Sequence, residues 1–476
     1  MIRKISLILF WMISCLAAEQ LSHEVFLGML IDSHPVFKKE TLTTDIERQA
    51  QLVSTAFQDW RLSTSFSLYH EEQAINFSGP DKMNTINADV ALERTFWSTG
   101  AKLQAGYESG FYDLELPPIY DIPPHLYRNM VTATYTHPLL RNKNGFINKL
   151  DYNLKQFDID YSKVVADERC EDFLCDASVI YLRWVFLDEQ LIIMRERLRI
   201  GQEELVRTNR RYDARLIDKV DVFRAKNTVF QTQQHVVSLQ SRWRAAQAEL
   251  AELAGNPDIY NAEPAHDLYS TIQLEPPDQV NHLLQTGSRL IRPLLIRLDQ
   301  FRIVRQGIAE ENKSDLSLYA MAKLERVENK IIKAVGVNAP TVEVGLRLNI
   351  PLEKRTANAE LEKNQLLIKQ LEYSIADIQR QLKSALTALY VQVEHMQNLL
   401  QLNKEHIEAT AEKTKQELKL YELGRGDLTF VLQSRDEEQA AKLVYAENAY
   451  HYQKLLLQYR ALMDQLYGGK DHERLF

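Results

Sequence analysis

The chain has 476 residues and a net charge of −8; 45% of it is hydrophobic and 26% charged, with only 16 glycines and 14 prolines. That length allows several ordinary domains, and such scarce glycine and proline point to long helices. The mild acidity, with no basic run interleaved with aromatics, gives no reason to expect nucleic acid as a partner.

Arg3 and Lys4 precede the apolar run Ile5–Ile13, and small residues follow at Ser14, Ala17 and Ala18. This is the plan of a secretory signal peptide over residues 1–18, too short for a transmembrane helix of about 20 residues. Alternatively, Ser14-Cys15 is a lipoprotein processing site that leaves Cys15 lipidated, although Met12 matches that pattern poorly. His34-Pro35-Val36 then opens a helix expected to run to about Trp60, with proline where its missing N–H costs nothing.

The pattern next changes to period two. Thr64–His70, parts of Ala88–Glu93, Lys102–Glu108 and Met130–Thr136 alternate, with prolines at 117, 118, 123 and 124 marking a loop. The last of these segments exits at Pro138-Leu139. Trp60 and Trp97 suit either an interfacial aromatic belt or core packing. From Phe146 to Ala254 there is one glycine, Gly201, and no proline, which predicts a long helical hairpin with its turn near Tyr212–Asp221. Cys170 and Cys175, five apart on that helix, face different ways and cannot bridge well. Pro257, Pro264, Pro276 and Pro277 mark a linker.

The order then repeats. Arg292-Pro293-Leu294 opens a helix to about Asn312, Leu316–Ala320 alternates, and Val342, Val344, Leu346, Leu348 and Ile350 line one strand face that exits at Pro351-Leu352. Glu353–Tyr467 holds only Gly424 and Gly426 and no proline. Its first helix carries apolar residues at Leu371, Ile375, Ile378, Leu382, Ala385, Leu389, Val393, Met396 and Leu400, the spacing of a packed seam with one stutter. It would be roughly 105 Å long. Gly424 offers a helix stop and Asp427 an N-cap for a returning helix through Leu432, Ala440 and Leu443. Residues 19–270 and 271–476 thus read as a duplicated unit. Its landmarks pair as Pro138 with Pro351, Tyr212 with Tyr421, and Val222 with Val431. The first copy carries extra material in its strand region: Pro35 to Pro138 spans 103 residues, Pro293 to Pro351 spans 58.

After the signal, nothing approaches an 18-residue apolar run, so an exported chain of this kind can enter a membrane only by strands closed into a barrel. Each half offers two clear strands, and the number in the first half is left open between two and four. Four to six strands are too few to close alone, since about eight are needed. Three copies of four would give twelve strands, together with twelve helices that would form a hollow tube.

The export signal, the duplicated layout, the strand exits Thr136–Arg141 and Asn349–Leu352, and the hairpin tips resemble the TolC family of outer-membrane efflux and secretion channels. The family's tip pattern is roughly a tyrosine, a glycine three on, a serine three further, then Asp-Val-Leu. The second tip keeps Tyr421 and Gly424, has Asp427 in the serine place, and continues Phe430-Val431-Leu432. The first keeps Tyr212, Asp221 and Val222 but has Arg215 for the glycine and Asp218 for the serine.

The resemblance implies a mainly α fold with a β part. Long antiparallel helical hairpins form an α-barrel, and strands close a transmembrane β-barrel on trimerisation. It further implies a homotrimer in the outer membrane of a Gram-negative bacterium, with its tips meeting a periplasmic adaptor joined to an inner-membrane pump. The tip residues Arg215, Asp218, Asp221, Arg425 and Asp427 would then serve adaptor contact or a gate, against the plainer reading of solvated turn and cap residues. No HExxH, GxxxxGK or nucleophile elbow occurs, so neither enzyme, cofactor nor metal is expected. The reading from another class is a periplasmic coiled-coil scaffold without a pore, which has no use for alternating strands.

Overall fold

The computed structural model describes residues 20–72, 80–116, 123–334 and 339–468. The expected signal peptide, Cys15, Pro117 and Pro118 lie outside them. The chain divides into two compact units. One takes the described residues up to Leu42, Val164–Arg292, and those from Ala376 onward; the other takes Thr43–Lys163 and Pro293–Ile375.

The first unit is built on most of two helical hairpins, whose first helices begin within the segments of the second unit. Helix α3 (Phe146–Asp213) returns as α4 (Lys219–Ala254), and α7 (Arg355–Glu422) returns as α8 (Leu428–Leu462). The first turn therefore falls at residues 214–218, inside the span expected from sequence. Trp184 of α3, fully buried, lies 5.8 Å from Trp243 of α4 between ring centroids. Lys413 pairs with Glu437 at 2.6 Å, and the Thr414 hydroxyl donates to the Ser434 carbonyl at 3.0 Å, which sets α7 against α8. The hairpins also join each other: Phe186 stacks on Tyr450 at 4.9 Å, and the Arg197 guanidinium, only 4% exposed, bonds Asp436 at 2.7 Å.

The sequence-predicted seam on α7 shifts at one point. Leu382, Val393 and Leu400 are buried as expected, but Leu386 is buried in place of Ala385, which is exposed. On α8 the same one-residue shift buries Ala441 and exposes Ala440. A small side chain is accommodated on either side of a helix seam, so alanine marks the stripe poorly.

Two segments of this unit have no strong local signal. Ser22 caps α1 (His23–Ser33) by accepting from the Val25 N–H at 3.2 Å, and α1 buries Phe26, Leu27 and Leu30. The expected helix from Pro35 to Trp60 is instead α2 (Pro35–Val53), ending before a short 3-10 turn at Ala56–Gln58. The expected linker is also partly ordered: β6 (Glu263–Ala265) pairs in parallel with β1 (Gln20–Ser22), and α5 (Pro277–Gly287) follows. Tyr181, fully buried, donates to the Leu21 carbonyl at 2.7 Å, so the β1 segment is pinned to α3.

The second unit holds one sheet. Its strands are β2 (Arg61–Glu72), β3 (Lys82–Thr95), β4 (Lys102–Glu115), β5 (His125–Pro138), β7 (Asp315–Glu328) and β8 (Ala339–Asn349). All six lie antiparallel in the order β2-β3-β4-β5-β7-β8. Among the described residues each chain thus contributes six strands to this sheet, and the twelve-strand count for three copies does not follow. The reason is the extra material in the first half: it folds as a full-length hairpin within the sheet. The strands of both halves meet where β5 pairs with β7, from Tyr127↔Glu328 to Pro138↔Ser317. Helix α6 (Arg292–Glu311) packs on α3 in this unit, with Arg297 bonded to Asp158 at 2.7 Å and Gln300 to the Leu154 carbonyl at 3.2 Å.

Candidate functional site

Two regions are candidates for function: the sheet faces and the hairpin tips. The pairing register sorts the side chains of the sheet onto two faces. One face carries Phe66 and Leu68 of β2, Ile86 and Val90 of β3, and Tyr107 and Phe111 of β4. It continues through Val131 and Tyr135 of β5, Leu318 and Leu324 of β7, and Val342, Val344 and Leu346 of β8. Much of this face is bare, with Val342 75% exposed and Phe66 67%, while residues 331–334 pack against β5 and β7. Polar residues on this face, including Asn84, Asp113, His125 and Arg326, gather toward the end of the sheet where β2 and β4 end and β3 and β5 begin. Asn129, deeper on the face, is bonded by the Tyr107 hydroxyl at 3.0 Å and donates to the Ala334 carbonyl at 2.7 Å.

The other face is charged. It presents Asp89, Glu108, Arg128, Lys323, Glu325 and Glu343, with serines along β2. Arg128 bonds Glu325 at 2.6 Å and lies 3.8 Å from Glu108, while Lys323 reaches Glu325 at 2.7 Å. A sheet with one largely bare apolar face and one ion-paired face suits a wall between lipid and water. Among the described residues, no helix is long and apolar enough to cross a membrane. Trp97 packs against Phe57 and Tyr152, with centroids 5.5 and 5.3 Å away, while Trp60 is half-exposed with Arg94 above its ring at 5.4 Å.

The strand exits differ. Pro138 closes β5, is buried, and precedes Leu139, whose N–H donates to the Leu316 carbonyl at 2.8 Å. Pro351 lies just past β8 and is exposed.

At the tips, both turns use the same backbone solution. The N–H of Arg215 donates to the Tyr212 carbonyl at 2.8 Å, as that of Gly424 does to Tyr421 at 3.1 Å. The next N–H in each turn, Leu216 or Arg425, reaches back to Arg211 or Leu420 at 2.9 and 3.0 Å. These are Schellman closures, which need a left-handed residue. Gly424 supplies it at φ +73°, and Arg215 does so at φ +56° despite its side chain. Asp427 caps α8, accepting from the Thr429 N–H at 2.7 Å; the bonds from Thr429 hold its carboxyl below the usual range. Asp218 stands at the equivalent place before α4, with no side-chain capping bond.

The tips are joined to each other through residues that sequence reasoning missed. Arg211 lies 4.1 Å above the Tyr421 ring and donates to the Tyr421 carbonyl at 3.2 Å. Arg224 pairs with Asp221 at 3.0 Å and reaches the Thr429 hydroxyl at 3.4 Å. Burial raises the Tyr421 phenol above its ordinary value. The structure thus brings Tyr421 and Asp221 into the contact between tips, while Tyr212, Arg215, Asp218, Gly424, Arg425 and Asp427 remain exposed. Arginines at 211 and 224 give no local signal of these partners, because each bond crosses between hairpins.

The left-handed turns predict opposite outcomes. Gly424→Val should destabilise by about 1–2 kcal/mol, since a side chain in that conformation clashes with its own backbone although nothing else is within 4 Å. Arg215→Gly should relieve part of the same strain and stabilise by up to about 1 kcal/mol after glycine's entropic cost. Denaturant unfolding of both variants checks this; a neutral Gly424→Val would show that the second turn relaxes to another conformation.

No protein-family model matches the sequence, and no curated protein matches it. Solved structures do resemble it. The outer membrane protein VceC of Vibrio cholerae superposes with a TM-score of 0.65 at 10% identity, covering 93% of this chain and 96% of that one. The outer-membrane channel OprN gives 0.68 at 12% identity over 93% and 90%. The CmeC outer membrane channel of Campylobacter jejuni gives 0.64 at 10% over 95% and 87%. The chain therefore has the fold of outer-membrane channel proteins, long helical hairpins combined with an antiparallel sheet. That is the fold expected from the TolC-family resemblance.

Proposed function

We propose that this chain is an outer-membrane channel of a Gram-negative bacterium, the passive exit duct of a tripartite efflux or type I secretion system. The observation that carries this reading is the six-stranded sheet, apolar and largely bare on one face, ion-paired on the other, and open at both edges. Such edges are not tolerated in lipid, where each unpaired backbone group costs several kcal/mol, so copies must pair. The copies form a homotrimer, with the strands in the outer membrane and the helical hairpins in the periplasm. Residues 1–18 are its export signal, with Cys15 as the alternative lipid anchor, and residues 19–270 and 271–476 are its two structural repeats.

The tips around Tyr212, Arg215, Asp218, Asp221, Tyr421, Gly424, Arg425 and Asp427 meet a periplasmic adaptor that links the duct to an inner-membrane pump. The driving energy comes from the pump, and no catalytic role, cofactor or metal is assigned to this chain. A coiled-coil scaffold would leave the apolar face without a use. Electron microscopy of detergent-extracted protein tests the reading. A threefold hollow particle is expected; monomers or solid rods without a lumen would overturn it.

A further inference from the structure

We propose that the hairpin β3–β4 forms two full staves of the membrane wall, so that the trimeric barrel has eighteen strands and a correspondingly wide bore. The inference rests on the trimeric channel reading above and adds its strand count, its closing edge and its aperture.

Three observations carry it. First, β3 and β4 are paired over their whole length, from Lys82↔Glu115 to Thr95↔Lys102, and β3 is paired along all of β2. The hairpin lies in the middle of the sheet, between β2 and β5, and is no appendage at its edge. Second, both faces run through it unbroken. Val90 and Tyr107 connect the apolar face of β2 to Val131 of β5, and Asp89 and Glu108 connect the polar face to Arg128 and its partner Glu325. A hairpin folded into the lumen or over the barrel mouth would have no reason to keep this alternation in register with its neighbours.

Third, the two free edges are complementary. With six strands in strict antiparallel order, β2 and β8 run in opposite directions. The β8 edge of one copy can therefore pair antiparallel with the β2 edge of the next, head to tail, in a ring that closes by rotation. The edges match in length, Arg61–Glu72 against Ala339–Asn349, and in facing, since Phe66 and Leu68 fall on the same side as Val344 and Leu346. The occupant of each edge is thus a second copy of this chain.

Three copies of the six-stranded sheet make eighteen strands. Barrel diameter grows roughly in proportion to strand number, so the bore is about one and a half times that of a twelve-stranded wall, in the range that leaves an open aqueous channel. A wall of this width, lined by Asp89, Glu108, Arg128 and Glu325, passes hydrated solutes without selecting among small ones by size.

The test is a strand count by cryo-electron microscopy of the detergent-extracted full chain, with bilayer conductance of a variant lacking residues 81–115. Removing two strands preserves the alternation, because β2 and β5 also run antiparallel. Eighteen strands in the full chain are expected, together with a roughly twofold drop in conductance for the variant if area sets the current. A wall of any other count, or an inserted variant with unchanged conductance, would overturn this inference while leaving the channel reading in place. A particle without a membrane barrel would overturn both. Should the variant fail to insert, the strand count alone decides.

Discussion

Deletion of residues 130–140 is expected to abolish insertion into the outer membrane. These residues form most of β5, which pairs with β4 from Lys102↔Thr136 to Asp113↔His125 and with β7 along its other edge. Their loss removes the strand through which the two halves of the chain share one sheet. It also breaks the alternation of direction: β4 and β7 run the same way, so they cannot close the gap with antiparallel bonds. The five-stranded remainder would carry unpaired N–H and C=O groups at a new internal edge, each costing several kcal/mol in hydrocarbon. Membrane fractionation with immunodetection reads the result. A deletion variant still recovered in outer-membrane fractions would overturn the assignment of the sheet to the membrane.

Arg289→Met should produce a large loss of stability, and one that depends on pH. Glu171 is buried on α3, accepts from the Leu466 N–H at 3.0 Å and is paired with Arg289. The Arg289 backbone N–H donates to Asp464 at 2.9 Å, and its guanidinium also donates to the Tyr467 carbonyl. Glu168, with one buried oxygen lacking a hydrogen bond, completes a cluster of three carboxylates whose ligand atoms lie within 4.8 Å of one another. Arg289 is the cation bonded directly into this cluster. Removing one partner of such a buried pair costs about 3–5 kcal/mol, because the other charge stays behind.

The sign of the pH effect follows from the raised carboxyls. Burial pushes Glu171 up to about 7, and burial with the nearby charges of Asp464 and Asp172 pushes Glu168 up to about 7, from an ordinary value of 4.5. The folded state therefore holds protons that the unfolded state has released between these values. Stability of the wild type should fall as pH rises from about 4.5 to about 7 and level off above. The cost of Arg289→Met should be larger at pH 8 than at pH 5, where the stranded carboxyl is protonated. Denaturant unfolding at the two pH values checks both statements; an equal loss at each would show that Arg289 acts through packing alone.

How much of this was legible beforehand varies element by element. The alternation Val342-x-Val344-x-Leu346-x-Leu348 is a local property, and it placed β8 correctly with its apolar face. The run from Phe146 to Ala254, interrupted only by Gly201, likewise gave α3, α4 and the position of the turn between them. Gly424 and Asp427 marked the second turn because a left-handed stop and a side-chain cap are choices of single residues. By contrast, α1 falls between the export signal and His34, and its helix depends on the Ser22 cap and on burial of Phe26 and Leu30. The pairing of β1 with β6 joins three-residue strands separated by most of the first half of the chain, and no local period announces it.

Residue patterns alone determined that the protein is built from long helical hairpins and alternating strands, since periods of 3.6 and two are written into neighbouring residues. They also determined where each hairpin turns. Only the tertiary structure decided that the strands of both halves join in one sheet, that six rather than four strands take part, and that Arg211 clamps Tyr421 across the tips. Those are choices of partner. A strand's edges and an arginine's reach are compatible with many partners, and the selection is made by which pairings satisfy every backbone group and charge at once.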